Sequence, residues 1–411
     1  MAWLAAVAVV LAVLGFDGYR LLYGGGTVQS AGVPSTGLAV SPDGRTVYLA
    51  NSSDGITPVS AATGKAGKAI AISGGAPGRF IGGPIGGLAI TPDGRTLFTT
   101  VYNAKPGAAL PLARVDLRTG QETGQVQVPG DVVFGFVPSR DGKTLYVVNG
   151  DNQLYAVNAV TGRPERHIPA PQGTLEDAEA MVLAPDGRTL YTAVPGADDG
   201  SGRGAAVVPV NLQTGAAGRA IGVGWQPVWL AVTPDGRTLY AAIDGMDASG
   251  QSFPNRIVAI DTAAGRVRAS IPWKVPPQQL AMAPDGATVW VMSVTGDRRS
   301  TADDTVTPLS VASGQPGSSF RTAGLLNSAQ YAPAGVMLSP DGRRVYVAVS
   351  AGLETFSVGK GILAMGWDVS AFAVHSLTWP VTLAGLVLVI GSSLAMGRKP
   401  RRAPQAGYLG E

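Results

Sequence analysis

Few side chains in this sequence could carry nucleophilic or acid–base chemistry. The chain has no cysteine, which excludes disulfides, zinc–thiolate sites and cysteine nucleophiles. It has two histidines, His167 in a predicted outer strand and His375 beside an apolar run. A serine hydrolase needs a histidine that contacts both a serine and an aspartate, and neither position suits that geometry. The sequence therefore predicts no catalytic triad.

The remaining polar candidates lie in the segments between predicted strands. Arg79 lies in a glycine-rich segment, but no helix follows that could hold a phosphate at its N-terminus. Glu176 and Glu179 precede a predicted strand and could form a polar cluster with Arg79 and Gln226, or could simply be solvated, as charged runs usually are. Because no second acid–base partner is in view, we interpret the set as ligand-binding and predict no catalytic residue.

Two tryptophans and several aspartates are further candidates. Trp225 and Trp229 flank Gln226 and a predicted strand, where their rings could stack a sugar or a peptide, or could pack between neighbouring sheets. Asp244 and the aspartate pairs at 198–199 and 303–304 are hard oxygen ligands, but their spacing does not match an EF-hand loop. We expect no metal and no cofactor.

A repeated motif determines the elements that must position these residues. The sequence SPDGRTVYLAN at residues 41–51 recurs in related form six more times. Its Asp-Gly step recurs at spacings of 50, 48, 45, 49, 50 and 56 residues. An aromatic residue follows each aspartate by five positions: Tyr48, Phe98, Tyr146, Tyr191, Tyr240, Trp290 and Tyr346. A self-similar period of this length indicates repeated supersecondary units that stack on each other.

Each unit reads as four short antiparallel strands. A short apolar strand meets Pro-Asp-Gly, a turn in which Pro sets φ, Asp bonds its own backbone and Gly takes the positive φ. An alternating strand such as 46–50 follows. A third strand ends at a Thr-Gly-like turn, and a fourth, such as 68–72, completes the unit. Seven such units predict an all-β fold, a seven-bladed β-propeller over residues 27–358.

The motif resembles that of the YVTN repeat family, which includes YncE-like and surface-layer propellers. The fold of that family is shared with the lactonase-like seven-bladed proteins. The resemblance covers roughly residues 27–358 and implies a seven-bladed propeller. The asparagine that closes the motif is present at Asn51 and Asn149 only, so a role tied to that asparagine is not implied for the other units.

The seventh unit lacks its last Thr-Gly turn, and an unassigned segment, 27–30, precedes the first unit. We predict that this segment pairs as the outer strand of the last blade. The competing closure uses residues 361–365. Either closure removes exposed sheet edges, which otherwise promote aggregation.

The two faces of the predicted propeller differ. Its short Pro-Asp-Gly and Thr-Gly turns lie on one face, here called the turn face. The inter-blade links and the turns between second and third strands lie on the other, the link face, together with every long insertion. Variable loops on a rigid scaffold are where binding usually occurs. We therefore expect the candidate site at the mouth of the central channel on the link face.

The overall basic charge of +3 does not indicate a nucleic-acid partner. Four basic residues at 398–402 and the terminal Glu411 account for it, which leaves 27 basic and 27 acidic residues elsewhere. Phosphate binding needs a basic patch or stripe, and none is present in the body of the sequence. We expect no nucleic acid.

The two ends of the chain predict a membrane protein. Residues 2–16 are an apolar run, so we interpret 1–23 as an export signal or anchor. Residues 377–396 carry no charge and are long enough to span a bilayer as a helix. The basic residues after them mark the cytoplasmic side. We predict a linker at 359–376, a transmembrane helix at 377–396, a cytoplasmic tail at 397–411 and a propeller that faces the extracytoplasmic side of the cell membrane.

Two functions fit these features. The first is a membrane-anchored, non-catalytic scaffold that binds an unknown protein or cell-envelope ligand. The second is a lactonase-like hydrolase with its site at the channel mouth, as the fold resemblance allows. The scarcity of acid–base residues favours the first.

Overall fold

The computed structural model describes 14 stretches of the chain: residues 29–30, 35–51, 55–74, 76–77, 87–102, 112–130, 133–171, 174–175, 180–194, 204–245, 254–294, 305–321, 335–349 and 352–358. The predicted segments 1–23, 359–376, 377–396 and 397–411 lie outside them. Within these stretches, no helix is both long and apolar enough to cross a membrane.

The described residues form an all-β propeller of seven blades, as the repeat predicts. In chain order the strands are β1 (Gln29–Ser30) of blade 7; β2 (Ser35–Val40), β3 (Thr46–Asn51) and β4 (Gly55–Ser60) of blade 1; β5 (Ala76–Pro77), β6 (Leu88–Ile90), β7 (Thr96–Tyr102), β8 (Leu112–Asp116) and β9 (Gln121–Val126) of blade 2; β10 (Val133–Pro138), β11 (Thr144–Asn149), β12 (Leu154–Asn158) and β13 (Pro164–Ile168) of blade 3; β14 (Met181–Leu183), β15 (Thr189–Val194), β16 (Ala206–Asn211) and β17 (Ile221–Gly222) of blade 4; β18 (Pro227–Val232), β19 (Thr238–Ile243), β20 (Arg256–Asp261) and β21 (Arg266–Pro272) of blade 5; β22 (Pro277–Met282), β23 (Thr288–Ser293), β24 (Thr305–Ser310) and β25 (Phe320–Arg321) of blade 6; and β26 (Gly335–Leu338), β27 (Arg344–Val349) and β28 (Gly352–Ser357) of blade 7.

The Pro-Asp-Gly turns have the hydrogen bonds that their residue types predict. In the first turn, Ser41 Oγ donates to Asp43 Oδ1 at 2.6 Å and the Arg45 amide donates to the same oxygen at 3.0 Å. Gly44 has a φ of 69°, which favours glycine. The Ser41 hydroxyl, followed by the Arg45 amide, holds the pKa of the Asp43 carboxyl below its ordinary value.

These turns also pack against each other in a closed circle. A Cβ added to the glycine of each turn would lie 3.0–3.7 Å from the residue before Asp in the preceding blade. The pairs are Gly94 with Pro42, Gly142 with Pro92, Gly187 with Arg140, Gly236 with Pro185, Gly286 with Pro234, Gly342 with Pro284 and Gly44 with Pro340. The last pair joins blade 1 to blade 7, so the ring closes with seven members.

The hydrophobic core lies between successive sheets. One cluster joins blades 4 and 5 through Tyr191, Leu230 and Val258, for example. Several of the motif aromatics are almost completely buried in these layers: Phe98 is 0% exposed and Tyr240 is 1% exposed. Burial of one such side chain contributes about 1.5–3 kcal/mol, so the repeated aromatic holds neighbouring blades together.

The predicted closure by the N-terminal segment is confirmed. β1 pairs antiparallel with β28, with Gln29 opposite Leu353 and Ser30 opposite Gly352. The sheet order of blade 7 is therefore β26, β27, β28 and β1. A strand from the start of the chain completes the last blade, and the competing segment 361–365 lies outside the described residues.

The outermost strands of blades 1, 4 and 6 are short, and in each of these blades the third strand contains a proline. Blades 2, 3 and 5 have outer strands of five to seven residues. In blade 1, the predicted strand 68–72 is reduced to two bridges, Val59 with Ala66 and Ile56 with Ile70. Pro58 lies between these bridges and has no N–H to donate. Blades 4 and 6 have a proline at the same place and outer strands of two residues.

Candidate functional site at the channel mouth

A group of polar side chains lies at the link-face end of the channel between blades 5 and 6. Asp244 directly follows β19, and its carboxylate Oδ2 accepts a hydrogen bond from Gln278 Nε2 at 2.9 Å. The Asp244 amide donates to the carbonyl of Gln226, at 3.3 Å. Gln226 directly precedes β18, and Gln278 is the second residue of β22. All three residues are partly exposed, and the Asp244 carboxylate and the Gln278 amide form a hydrogen-bonded pair at this end of the blades.

A second set of hydrogen bonds supports this patch from the outer side. Asn255 Oδ1 accepts from the amide of Gly245 at 2.8 Å, and the Asn255 carbonyl accepts from the amide of Trp273 at 2.9 Å. The Trp273 indole donates to Ser293 Oγ at 2.9 Å. The residue after Asp244 is therefore fixed to the start of β20, which limits the movement of the carboxylate.

The predicted ligand residues Trp225 and Trp229 lie in the walls of the propeller. Trp229 is 6% exposed, and its indole donates across the blade boundary to the carbonyl of Leu280 at 3.0 Å. Trp225 is 8% exposed and packs in the core between blades 4 and 5. These contacts match the packing interpretation of the two rings. Gln226, which follows Trp225, is partly exposed and accepts from the Asp244 amide through its backbone carbonyl.

The other three predicted site residues, Arg79, Glu176 and Glu179, lie outside the described residues. Most of the long link-face segments do as well, so the geometry of a cluster that includes them is not described. The described mouth therefore consists of the patch at blades 5 and 6.

The patch includes residues that the sequence interpretation missed. From the sequence, Asp244 is a candidate calcium ligand only, and Gln278 and its neighbour Gln279 are not candidates. Gln279 is 6% exposed, and its Oε1 accepts from the amide of Val336 in blade 7 at 2.9 Å. The signal was available: two adjacent glutamines interrupt an inner strand, whereas the inner strands of other blades are largely apolar.

His167 lies far from the mouth in the fold, in β13, the outermost strand of blade 3. Its ring centroid lies 5.2 Å from that of Tyr155, the residue opposite it in β12. The stretches that the structure describes contain no group of three or more His, Asp or Glu residues that could hold a metal ion.

Asn149, which closes the motif in blade 3, has a structural role. Its Nδ2 donates to the carbonyl of Pro129 at 2.6 Å. Its Oδ1 accepts from the amide of Gln153 at 2.8 Å and from that of Asp151 at 3.2 Å. The side chain is 0% exposed. It therefore stabilises the turn between β11 and β12 and the link before it.

The described mouth is suited to recognition by hydrogen bonding. A carboxylate accepts from hydroxyl, amide and ammonium groups, and amide side chains can donate and accept. The Gln278 amide donates to Asp244 Oδ2 and so fixes the direction of that carboxylate. A ligand rich in hydroxyl or amide groups matches this set.

Comparison with known proteins supports the fold. No family model and no curated protein matches the sequence. Among solved structures, the chain is similar to hydrazine synthase of Kuenenia stuttgartiensis, with a TM-score of 0.62 and 23% identity over 80% of this chain and 97% of that one. It is also similar to the β-propeller domain of Cps50 (Swd1) of Myceliophteria thermophila, with a TM-score of 0.59 and 13% identity over 81% of this chain and 99% of that one. The likeness covers nearly all of both proteins and establishes the propeller fold.

Proposed function

We propose that this protein is a membrane-anchored, extracytoplasmic β-propeller that binds a protein or cell-envelope ligand at its link face and has no catalytic role. The observation that carries the proposal is the patch of Asp244, Gln278 and Gln226 at the channel mouth. It presents hydrogen-bonding groups on a rigid wall. The motif SPDGRTVYLAN supports placing the protein among the YVTN-type propellers.

The non-catalytic part of the proposal is supported by the environment of the patch. The Asp244 carboxylate accepts a hydrogen bond from the Gln278 amide at 2.9 Å, and an amide does not exchange a proton with a carboxylate. General acid–base catalysis needs such a group within hydrogen-bond reach of the substrate. A carboxylate held by amides is suited to binding.

The membrane location is supported by the sequence of the C-terminal region. Residues 377–396 have the length and apolarity of a spanning helix, and the basic residues after them favour the cytoplasm. Protease treatment of intact cells tests this. Digestion of the propeller in intact cells is expected. Protection there, with digestion in inverted vesicles, would contradict the orientation.

Binding is tested with the full-length protein in detergent micelles, incubated with fractionated cell-wall and membrane extracts. Asp244→Ala and Gln278→Ala should each reduce retention of the bound component. Glu165→Gln, on the outer strand of blade 3, is the matched control and should retain it. Equal retention by all variants would rule out the mouth as the site.

The lactonase-like alternative is separated by an activity assay on the same preparation. Wild-type protein is incubated with a panel of sugar lactones, beside a Glu176→Gln and Glu179→Gln double variant. We expect no turnover by either protein. Turnover that the double variant loses would replace the binding proposal with a hydrolase.

A further inference from the structure

A groove lies between blades 1 and 2, away from the channel mouth. Its volume is about 540 Å³, within the range of ligand sites in proteins. It lies beside the Thr-Gly turn of blade 2, towards the turn face. The residues that the argument uses are Tyr48, Pro58, Lys68, Ile70, Leu117 and Glu122.

The groove exists because the outer edge of blade 1 is displaced. Pro58 faces blade 2 beside Tyr48, its partner in β3, and the outer segment passes over the proline ring at Gly67. Tyr48 is partly exposed, as is Tyr146 at the same motif position of blade 3, whereas Phe98 and Tyr346 are 0% and 1% exposed. One side of the tyrosine ring faces the groove.

The same location between blades 3 and 4 is filled by a guanidinium group. Arg166, on the outer strand of blade 3, donates to the carbonyl of Leu212 at 2.6 Å and to that of Gln213 at 2.8 Å. Both carbonyls belong to the Thr-Gly-type turn of blade 4. A planar guanidinium presents several donors in a fixed arrangement, so it satisfies two adjacent carbonyls at once.

Two other junctions also use arginine at this turn. Arg344 of blade 7 donates to the carbonyl of Ala61 in blade 1. Between blades 2 and 3, Arg114 lies against the turn of blade 3, where a Cβ on Gly162 would be 2.6 Å from its Nη1. Three junctions of this propeller therefore place a guanidinium beside the turn of the next blade.

The blade 1–2 junction has the acceptors but lacks the arginine. Leu117 corresponds in position to Leu212. The amide of each leucine donates to the carbonyl of the residue that follows the Pro-Asp-Gly turn of its own blade. Lys68 corresponds in position to Arg166. In blade 1, Ile70 pairs with the third strand, and Lys68 lies two residues before it. In blade 3, the residue two positions after Arg166 pairs with the third strand in the same way. Among the described residues, none donates to the carbonyls of Leu117 and Arg118, and none forms a hydrogen bond or ion pair with the Lys68 ammonium.

The charges at the groove favour a cation on the side opposite Lys68. The Glu122 carboxylate is held in place by the Ser73 amide at 2.7 Å and by the Ser73 hydroxyl. The exposed side of the Tyr48 ring can bind a cation by its π-face. Lys68 is exposed, so its ammonium can stay in solvent, away from a cation bound beside Glu122.

We propose that this groove binds the guanidinium group of an arginine side chain in a partner polypeptide. The guanidinium donates to the carbonyls of Leu117 and Arg118, as Arg166 donates to the corresponding carbonyls between blades 3 and 4. Its charge faces Glu122, and its plane lies along Tyr48. This site is separate from the channel mouth, so the failure of either proposal leaves the other intact.

The test measures binding of short peptides to the full-length protein in detergent, by ligand-observed NMR. The probes are acetyl-Gly-Arg-Gly-amide, the same peptide with lysine or citrulline in place of arginine, and free arginine. We expect the arginine peptide to bind about tenfold more tightly than the citrulline or lysine peptide, because it alone combines the charge with a planar set of donors. It should also bind more tightly than free arginine, whose carboxylate meets Glu122.

Substitutions at Lys68 distinguish a cationic ligand from an anionic one, because they change the affinity for the two in opposite directions. Lys68→Arg places an arginine where Arg166 lies in blade 3 and should abolish binding while the melting temperature is kept or raised. Lys68→Ala removes a positive charge and should strengthen binding of the arginine peptide. Glu122→Gln should weaken it. Lys65→Ala, on the same segment but outside the groove lining, is the control and should leave it unchanged.

Three results would overturn the proposal. Equal binding of the arginine and citrulline peptides would remove the role of charge. Loss of binding in Lys68→Ala would identify an anion site in place of a guanidinium site. Equal or tighter binding of free arginine would reject a polypeptide as the source of the group.

Discussion

Substitution of Gly55 by alanine should release the outer edge of blade 1. Gly55 begins β4 with a φ of 93°, and a Cβ there would overlap the carbonyl of Ile70. That carbonyl accepts from the Ile56 amide at 2.9 Å, and the Ile70 amide donates back at 2.8 Å. Gly204 has a φ of 92° and nothing within 4 Å of its Cβ position. Gly204→Ala is therefore a control with the same backbone strain and no overlap.

The difference between the two variants can be worked from the contacts. The left-handed conformation costs both variants roughly 1–2 kcal/mol, which cancels in the comparison. Gly55→Ala also loses two hydrogen bonds, each about 0.5–1.5 kcal/mol. Ile70 is 6% exposed, and burial of such a side chain contributes about 1.5–3 kcal/mol. Gly55→Ala loses part of this contribution too. We expect Gly55→Ala to be less stable than Gly204→Ala by about 2–5 kcal/mol, the sum of these terms.

Thermal unfolding of the full-length variants, followed by circular dichroism, measures this difference. For the propeller, residues 27–358, the entropy of unfolding is about 0.7 kcal/mol per kelvin, so Gly55→Ala should melt roughly 3–7 °C below Gly204→Ala. Equal melting temperatures, within about 1 °C, would refute the assignment of Ile70 as the anchor of the outer segment. The peptide assay adds a second readout, because release of Ile70 should also abolish binding in the groove.

Three further outcomes follow from single contacts. The pKa of Asp141 lies below the ordinary 3.8, and the hydrogen bond from Ser139 is the largest cause. The ionised carboxylate therefore stabilises the fold above that pH, and this stabilisation is lost as the pH falls through the folded pKa. In Ser139→Ala, acid unfolding followed by circular dichroism should begin at higher pH. Trp229→Phe leaves the buried carbonyl of Leu280 without a donor and should cost about 1–3 kcal/mol, with ligand retention at the mouth unchanged. A Cβ at Gly218 would lie 2.8 Å from a proline ring carbon in the third strand. Gly218→Ala should therefore lower the free energy of unfolding by about 1–3 kcal/mol. The urea midpoint should fall accordingly, with an unchanged m-value.

The architecture could be predicted because the repeat is local. Each Pro-Asp-Gly turn and the aromatic five residues after its aspartate lie within one hairpin, so the spacing alone defines the blade. The closure by Gln29 and Ser30 followed from counting strands. The reduced outer strand of blade 1 was missed, although Pro58 is visible in the sequence. The effect of Pro58 depends on whether the amide that it lacks would have donated to the fourth strand. The periodic pattern does not reveal this.

The candidate site was harder to predict because it joins distant parts of the chain. Asp244 and Gln278 are 34 residues apart and meet because adjacent blades place their ends side by side. The tryptophans attracted the functional interpretation by residue type, whereas burial makes Trp229 a wall residue. The guanidinium pattern between blades was invisible in sequence, since Arg114, Arg166 and Arg344 occupy different strands and converge only in the folded ring.

The seam in blade 7 determines how the propeller responds to force. Since β1 and β28 are antiparallel neighbours, the start of the first and the end of the second point to the same edge of the sheet. Tension applied through the two flanking segments therefore peels this ladder apart one hydrogen bond at a time, a geometry that yields at lower load than shear. The described part of this seam has two residue pairs, so we expect a stretched ring to open first in blade 7.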